Sequence, residues 1–245
     1  MIRAVVAVVP ARDEERLIGA CLRAIGQAAR HRDLAGLPVA VVVAADSCRD
    51  RTAAVARRHG AHPVQVDATS AGASRAVGTA AALDLLRRAH GDLADEEIWL
   101  AHTDADTRVP PCWLAHQLGS AAQGYDAVVG TVTVEDWSAH PPGARARFLQ
   151  HYQAYRGHGG EPPLEHPHVH GANLAVRASA YLAVGGFAAV PVGEDRALLT
   201  ALEAAGRRVL RSDTCPVVTS ARRDARAPGG FGDFLTRLRP LDVPR

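Results

Sequence analysis

The chain has 245 residues, 47% of them hydrophobic, with 28 basic against 26 acidic side chains. This is the profile of an ordinary globular protein and excludes a disordered chain or a nucleic-acid binder driven by net charge. All 28 basic residues are Arg; the lack of Lys, attributed to codon bias in a GC-rich bacterial genome, excludes a Walker-A NTPase and any Schiff-base lysine enzyme.

The first half alternates two kinds of segment. Residues 3–9 form a short β-branched run, read as a buried strand rather than a signal peptide because it meets the charged stretch Arg12–Arg16. Leu17, Ile18, Cys21, Leu22 and Ile25 then recur at helical spacing over 15–26. A strand over 39–45, a helix over 52–59, a strand at Val64–Val66, an Ala-rich helix over 74–89 and a strand over Glu97–His102 follow. Apolar strands without internal alternation, separated by helices, predict an α/β fold with a mostly parallel sheet covered on both faces. The second half is less regular. It predicts a helix over 110–122, a strand over Asp126–Val134, a long Pro-, Gly- and His-rich stretch over 138–170 with a short helix at 144–156, a strand and helix within 171–184, a helix over 194–205 and a strand pair over 208–219. The tail from 227 is expected to fold over a surface. No apolar stretch reaches about 18 residues, so no membrane span is expected. Cys21, Cys48, Cys112 and Cys215 match neither a zinc site nor a disulfide framework, and a reducing cytoplasm is the default.

Ligands in open parallel sheets bind beyond the carboxyl ends of the strands. The acidic residues collect there: Asp13-Glu14-Glu15 after the first strand, Asp46 and Asp50 after the second, Asp104 and Asp106 after the fourth. Unpaired carboxylates this close repel by about 1 to 4 kcal/mol per pair, so a divalent cation or donor groups of a ligand would relieve them. Asp104-Ala105-Asp106 can point two hard oxygen donors into one pocket, which suits Mg2+ or Mn2+; Asp106 can equally cap the helix before Pro110. Asp50 and Thr52 are expected to cap the helix at 52. Glu194-Asp195 opens the 194–205 helix, where acidic residues favour the helix dipole or supply a general base. His166, His168 and His170 alternate, so their side chains share one face of an extended segment. They suit a metal, contact with an acceptor, or an ordinary polar loop.

The order Val-Pro-Ala-Arg-Asp-Glu-Glu, Asp-Ser-Cys-Arg-Asp-Arg-Thr, Thr-Asp-Ala-Asp, Gly-Ala-Asn-Leu, Gly-Gly-Phe and Gly-Glu-Asp resembles a family 2 glycosyltransferase over residues 4 to about 206. The resemblance implies a GT-A fold, a Rossmann-like three-layer sandwich in one domain. Residues 1–107 would bind the nucleotide sugar, and 108–245 the acceptor, together with the tail. It implies inverting transfer of a sugar from a UDP- or GDP-type donor to a hydroxyl acceptor, with Mg2+ or Mn2+. Carried over by position, Pro10, Arg12, Glu14, Asp46, Gly72, Arg75 and Asp104 would bind the donor, with Arg222 and Arg226 as a clamp. Asp106, Asp104 and His170 would hold the metal, Asp195 or Glu194 would be the base, and Asn173, Gly171 and His168 would meet the acceptor. Two positions depart from the pattern: Ala45 replaces the first of two acidic residues, and Ala76 an asparagine. The processive Gln-x-x-Arg-Trp signature is missing. The partners expected are the donor and an unspecified acceptor, with no nucleic acid, and with a homodimer and peripheral membrane contact left open. Two other readings stand beside this one. A sugar nucleotidyltransferase lacks its Gly-rich loop and activating Lys here; a non-catalytic sugar-nucleotide binding module is opposed by Asp104, Asp106 and Asp195.

Overall fold

The computed structural model describes residues 1–68, 70–154, 166–188, 190, 192–223 and 230–237. Seven strands form one sheet: β1 (Ala4–Ala11), β2 (Val39–Asp46), β3 (His62–Val66), β4 (Ile98–His102), β5 (Ala127–Thr133), β6 (Leu174–Arg177) and β7 (Val209–Val218). The order is β3-β2-β1-β4-β6-β5-β7. Pairings among the first four strands are parallel, as is β5 with β7, while β6 runs antiparallel to both β4 and β5. The sheet is thus mostly parallel, with one reversed strand at the join between the halves.

The helices are α1 (Ile18–Ala29), α2 (Thr52–Arg58), α3 (Ala71–Ala89), α4 (Trp113–Ala122), α5 (Ala144–Tyr152), α6 (Ala178–Ala183), α7 (Glu194–Ala204) and α8 (Phe231–Arg237). Strand β1 shows why the domain is three-layered. Val5, Ala7 and Val9 point into a core shared with α1, α2, α4, α5 and α8. Ala4, Val6 and Val8 point into the opposite core with α3, α6 and α7. Both faces of the strand are buried, so its sequence shows no polar alternation. Helix α1 starts three residues later than its apolar spacing suggests, because Glu14 uses its carbonyl to accept the amides of Leu17 and Ile18 in a turn. Helix α3 is capped by Ser70, whose hydroxyl accepts the Ala73 amide at 3.2 Å.

Two expectations are corrected. Residues 209–218 are one strand beside β5, with an irregularity between Gly130 and Val132, not a pair. Cys112, just before α4, and Cys215 in β7 form a disulfide with a Cα–Cα distance of 6.6 Å. The two cysteines lie 103 residues apart and are brought together by packing of α4 on β7. No helix of the described residues is long and apolar enough to cross a membrane.

Candidate functional site

The chain turns sharply at the carboxyl ends of β1 and β2. Asp13 and Ser47 both adopt left-handed backbone (φ 51° and 46°), which non-glycine residues rarely do. The two loops are tied together: Asp13 accepts the amides of Arg49 (2.7 Å) and Asp50 (3.3 Å), and Asp50 accepts the amide of Glu15 (2.9 Å). Asp50 also accepts the Thr52 amide at 2.8 Å, which serves the first turn of α2. Asp13, Cys48 and Asp50 are the described group of three whose ligand atoms lie within 4.8 Å of one another. Their carboxylates are engaged in these loop bonds.

Beyond the strand ends lies a cleft of about 550 Å³. Its wall includes Pro10, Arg12, Glu14, Asp46, Arg75, Asp104, Asp106 and Arg222, the residues expected on the donor side. Asp46 ends β2 and is buried. One oxygen accepts the Ala68 amide (2.8 Å), and the other accepts the Ser74 hydroxyl (3.1 Å). Arg75, on the first turns of α3, is the centre of the site. Its guanidinium pairs with Asp104 on one side and Glu194 on the other, and its side chain is 5% exposed. Burial works against that charge; Asp104, Glu194 and Asp195 outweigh it. A Cβ on Gly171 would stand 2.5 Å from the guanidinium carbon, and one on Gly72 would stand 2.7 Å from the Glu194 Cβ. Both glycines therefore make room for this pair. Gly72 is absent from the cleft wall, so its place in the donor set is as packing beneath it.

Arg222, in the segment after β7, bridges Glu14 (2.6 Å) and Asp106 (2.9 Å). Burial pushes the Asp106 carboxyl up to about 6; Arg222 pulls it down, and Asp104 and Glu14 push it up. Arg226 lies outside the described residues. At the start of α7 the two acidic neighbours diverge. Both line the cleft, but Glu194 is buried against Arg75, whereas Asp195 accepts the Gly171 amide (2.9 Å) and the Arg196 amide (2.8 Å).

The opposite wall is made of rings. His168 lies flat on Tyr152 (3.7 Å between centroids, 5° between planes) and donates Nε2–H to the Tyr152 carbonyl at 2.6 Å. His166, His168 and His170 form a ladder with spacings of 5.8 and 6.2 Å, the shared face expected from their alternation. Burial lowers all three, His170 to about 3. His170 lines the cleft, and its Nε2 is buried with no hydrogen-bond partner among the described residues. It does not form a close three-ligand group with Asp104 and Asp106.

Asn173 differs most from expectation. Its Nδ2 donates to the Thr131 and Cys215 carbonyls (2.9 and 3.1 Å), and its Oδ1 accepts the Trp113 indole N–H at 2.9 Å. It is buried and absent from the cleft wall, so it braces β5, β7 and α4 instead of meeting an acceptor. Sequence reasoning also missed the pairing of Arg75 with Glu194, whose partners stand 119 residues apart.

The family described as "Glycosyl transferase family 2" matches residues 6–185. No curated protein sequence matches the chain. Among solved structures, S. aureus TarS residues 1–349 in complex with UDP-GlcNAc superposes with a TM-score of 0.60 at 12% identity, covering 93% of this chain and 61% of that one. The mannosyltransferase PcManGT from Pyrobaculum calidifontis, in complex with GDP-Man and Mn2+, gives 0.60 at 20% identity, covering 92% and 59%. Glucosyl-3-phosphoglycerate synthase from Mycobacterium tuberculosis, with Mn2+, UDP and glucosyl-3-phosphoglycerate, gives 0.50 at 17%, covering 96% and 80%. The chain spans about three fifths of the length of the first two. With its family matched over most of its length and its sheet shared with these enzymes, the chain belongs to glycosyl transferase family 2 and has the GT-A fold.

Proposed function

We propose that the protein is an inverting, metal-dependent glycosyltransferase that moves a sugar from a UDP or GDP sugar to a hydroxyl acceptor. One observation carries this reading. Acidic side chains from three strand ends and from the start of α7 face a single cleft with two arginines set among them. UDP-GlcNAc in the TarS complex, GDP-Man with Mn2+ in the PcManGT complex, and UDP with Mn2+ in the mycobacterial synthase complex support the choice of a nucleotide sugar and of a divalent cation.

The residues present fit a hard cation. Asp106 is buried among carboxylates that raise it, and Arg222 already supplies it with positive charge. Asp106 and Asp104 would hold the cation; His170 stands on the facing wall and forms no close group with them. When bound, the cation neutralises the diphosphate and makes it a better leaving group. Arg12 and Asp46 face the nucleoside end, and Arg222 can turn from the carboxylates to phosphate oxygens, where a guanidinium bonds in two-pronged fashion. Asp195 takes the proton of the acceptor hydroxyl as its oxygen attacks the anomeric carbon. The bond from that carbon to the diphosphate breaks on the opposite face, so one displacement inverts the configuration and no enzyme nucleophile is needed. Glu194 is held by Arg75 and positions the α7 start instead of taking the proton.

Calorimetric titration with UDP and with GDP, each with and without Mn2+, tests the reading. One nucleotide is expected to bind in a Mn2+-dependent way, and a donor panel read by product mass then identifies the sugar. Failure of both nucleotides to bind would overturn the proposal.

A further inference from the structure

The chain is poor in rings: four Phe, three Trp and four Tyr. Its two cores are built mainly from Val, Ala and Leu. Yet three of the four phenylalanines, Phe148, Phe231 and Phe234, gather with Tyr152 and the histidine ladder. Phe231 stands edge-on to His170 (5.4 Å, 85°) and 5.9 Å from Phe234. The rings come from α5, the 166–170 segment and α8, so no local periodicity groups them.

Tyr152, His168, His170, Phe231 and Phe234 all line the cleft across from the carboxylates. Of these five, Tyr152 is buried at 4% exposure, whereas Phe234 is 38% exposed and Phe231, His168 and His170 are half-buried, unlike Trp99 and Trp113 in the core at 0%. Among the described residues, the charges bordering this side are Asp195 and Arg196 at the start of α7. A phosphorylated or carboxylated acceptor is usually held by clustered arginines in forked hydrogen bonds. Ring faces instead suit a flat, uncharged surface, packing by stacked or edge-on contact.

We propose that this wall is the acceptor subsite and takes an uncharged ring, of a sugar or of an aromatic alcohol, that presents its hydroxyl to Asp195. The proposal rests on the transfer reading above. The two sources share one chemistry, a flat ring bearing a hydroxyl, and the test separates them.

Saturation-transfer NMR on the whole protein with Mn2+ and the preferred nucleotide, probed with methyl glucoside, methyl mannoside, a simple phenol and 3-phosphoglycerate, gives the readout. Transfer to the glycosides or to the phenol is expected, with their C–H protons closest to the protein, and none to 3-phosphoglycerate. Phe231→Leu and Phe234→Ala should each weaken that contact, by up to about tenfold for a lost ring pair. The exposed Phe234 can be truncated without opening a core cavity. Contact by 3-phosphoglycerate alone, or undiminished ring contact in both variants, would overturn the inference. Nucleotide binding in the same samples separates the two claims. Bound nucleotide without ring contact removes this inference and leaves the transfer reading standing, whereas no bound nucleotide removes the transfer reading and the inference with it.

Discussion

The two walls of the cleft solve opposite problems. The donor-side wall brings carboxylates together and then relieves their repulsion with two buried or half-buried arginines, Arg75 and Arg222. The facing wall has almost no formal charge and is held by ring stacking and backbone hydrogen bonds. Charge is costly to bury and strongly directional, so the first wall depends on pairings that tolerate little change. Ring packing is less exacting, and the second wall can vary with its ligand. Asp195 sits on the seam, anchored by the Gly171 amide, where chemistry needs both walls at once.

The largest expected effect lies on that seam. Asp195→Asn keeps the shape and one of the two oxygens that accept backbone amides, but removes the proposed base. Turnover should fall by about 10²- to 10⁴-fold with nucleotide binding unchanged, the usual worth of a positioned acid or base. Steady-state kinetics paired with nucleotide titration checks this. If Asp195→Asn turns over normally and Glu194→Gln does not, the roles of the two neighbours are reversed.

The next effect tests whether the donor wall depends on paired charge. Arg75→Met leaves Glu194 and Asp104 without their guanidinium. Glu194 has a side chain 9% exposed and cannot regain water, whereas Asp104 at 34% can. The cost should therefore come mainly from Glu194, and breaking a buried pair from one side costs about 3–5 kcal/mol. Urea unfolding is expected to show that loss, and adding Glu194→Gln to Arg75→Met should recover much of it. Equal stability of Arg75→Met and the parent would mean that the pair is not what holds α7 against α3.

How much of this was legible beforehand differs between the same two walls. The donor half reads from the sequence because its signals are local. Val-rich runs mark β1 and β2, an apolar run marks β4, and each acidic group closes or follows its strand, so Asp46, Asp104 and Asp106 fall on the cleft edge by topology alone. What stayed hidden depends on distant segments meeting. Asn173 stands in a suggestive Gly-Ala-Asn-Leu context, but its bonds to Thr131, Cys215 and Trp113 come from three other elements, and they turn an expected acceptor contact into a brace. The Cys112–Cys215 pair has no spacing that announces it. The histidine alternation gave the shared face, yet only packing of α5 and α8 reveals that the face is lined with rings. Position alone points Arg75 toward the donor, whereas its two carboxylate partners lie 29 and 119 residues away.

The smallest expected effect concerns how the donor wall trades an internal cation for an external one. Arg222 bridges Glu14 and Asp106 with its side chain 28% exposed, so its hold on them is partly screened by water. If Asp106 is the metal ligand, Arg222 competes with the incoming Mn2+. Arg222→Gln should then tighten Mn2+ binding to the nucleotide-free protein at pH 8, by about fivefold at most for a partly exposed pair. The gain depends on pH. Asp106 titrates near 6 and must be deprotonated to ligate, so Mn2+ affinity of the parent is present above that pH and is lost as pH falls through it. Arg222 holds the Asp106 carboxyl down, so its removal lets protons compete at higher pH. The gain at pH 8 should therefore shrink as pH falls through about 6. Mn2+ titration followed by electron paramagnetic resonance at pH 8 and pH 5.5 reads both arms. Weaker binding at pH 8 in Arg222→Gln would instead make Arg222 an organiser of the carboxylates, and the donor wall rigid rather than yielding.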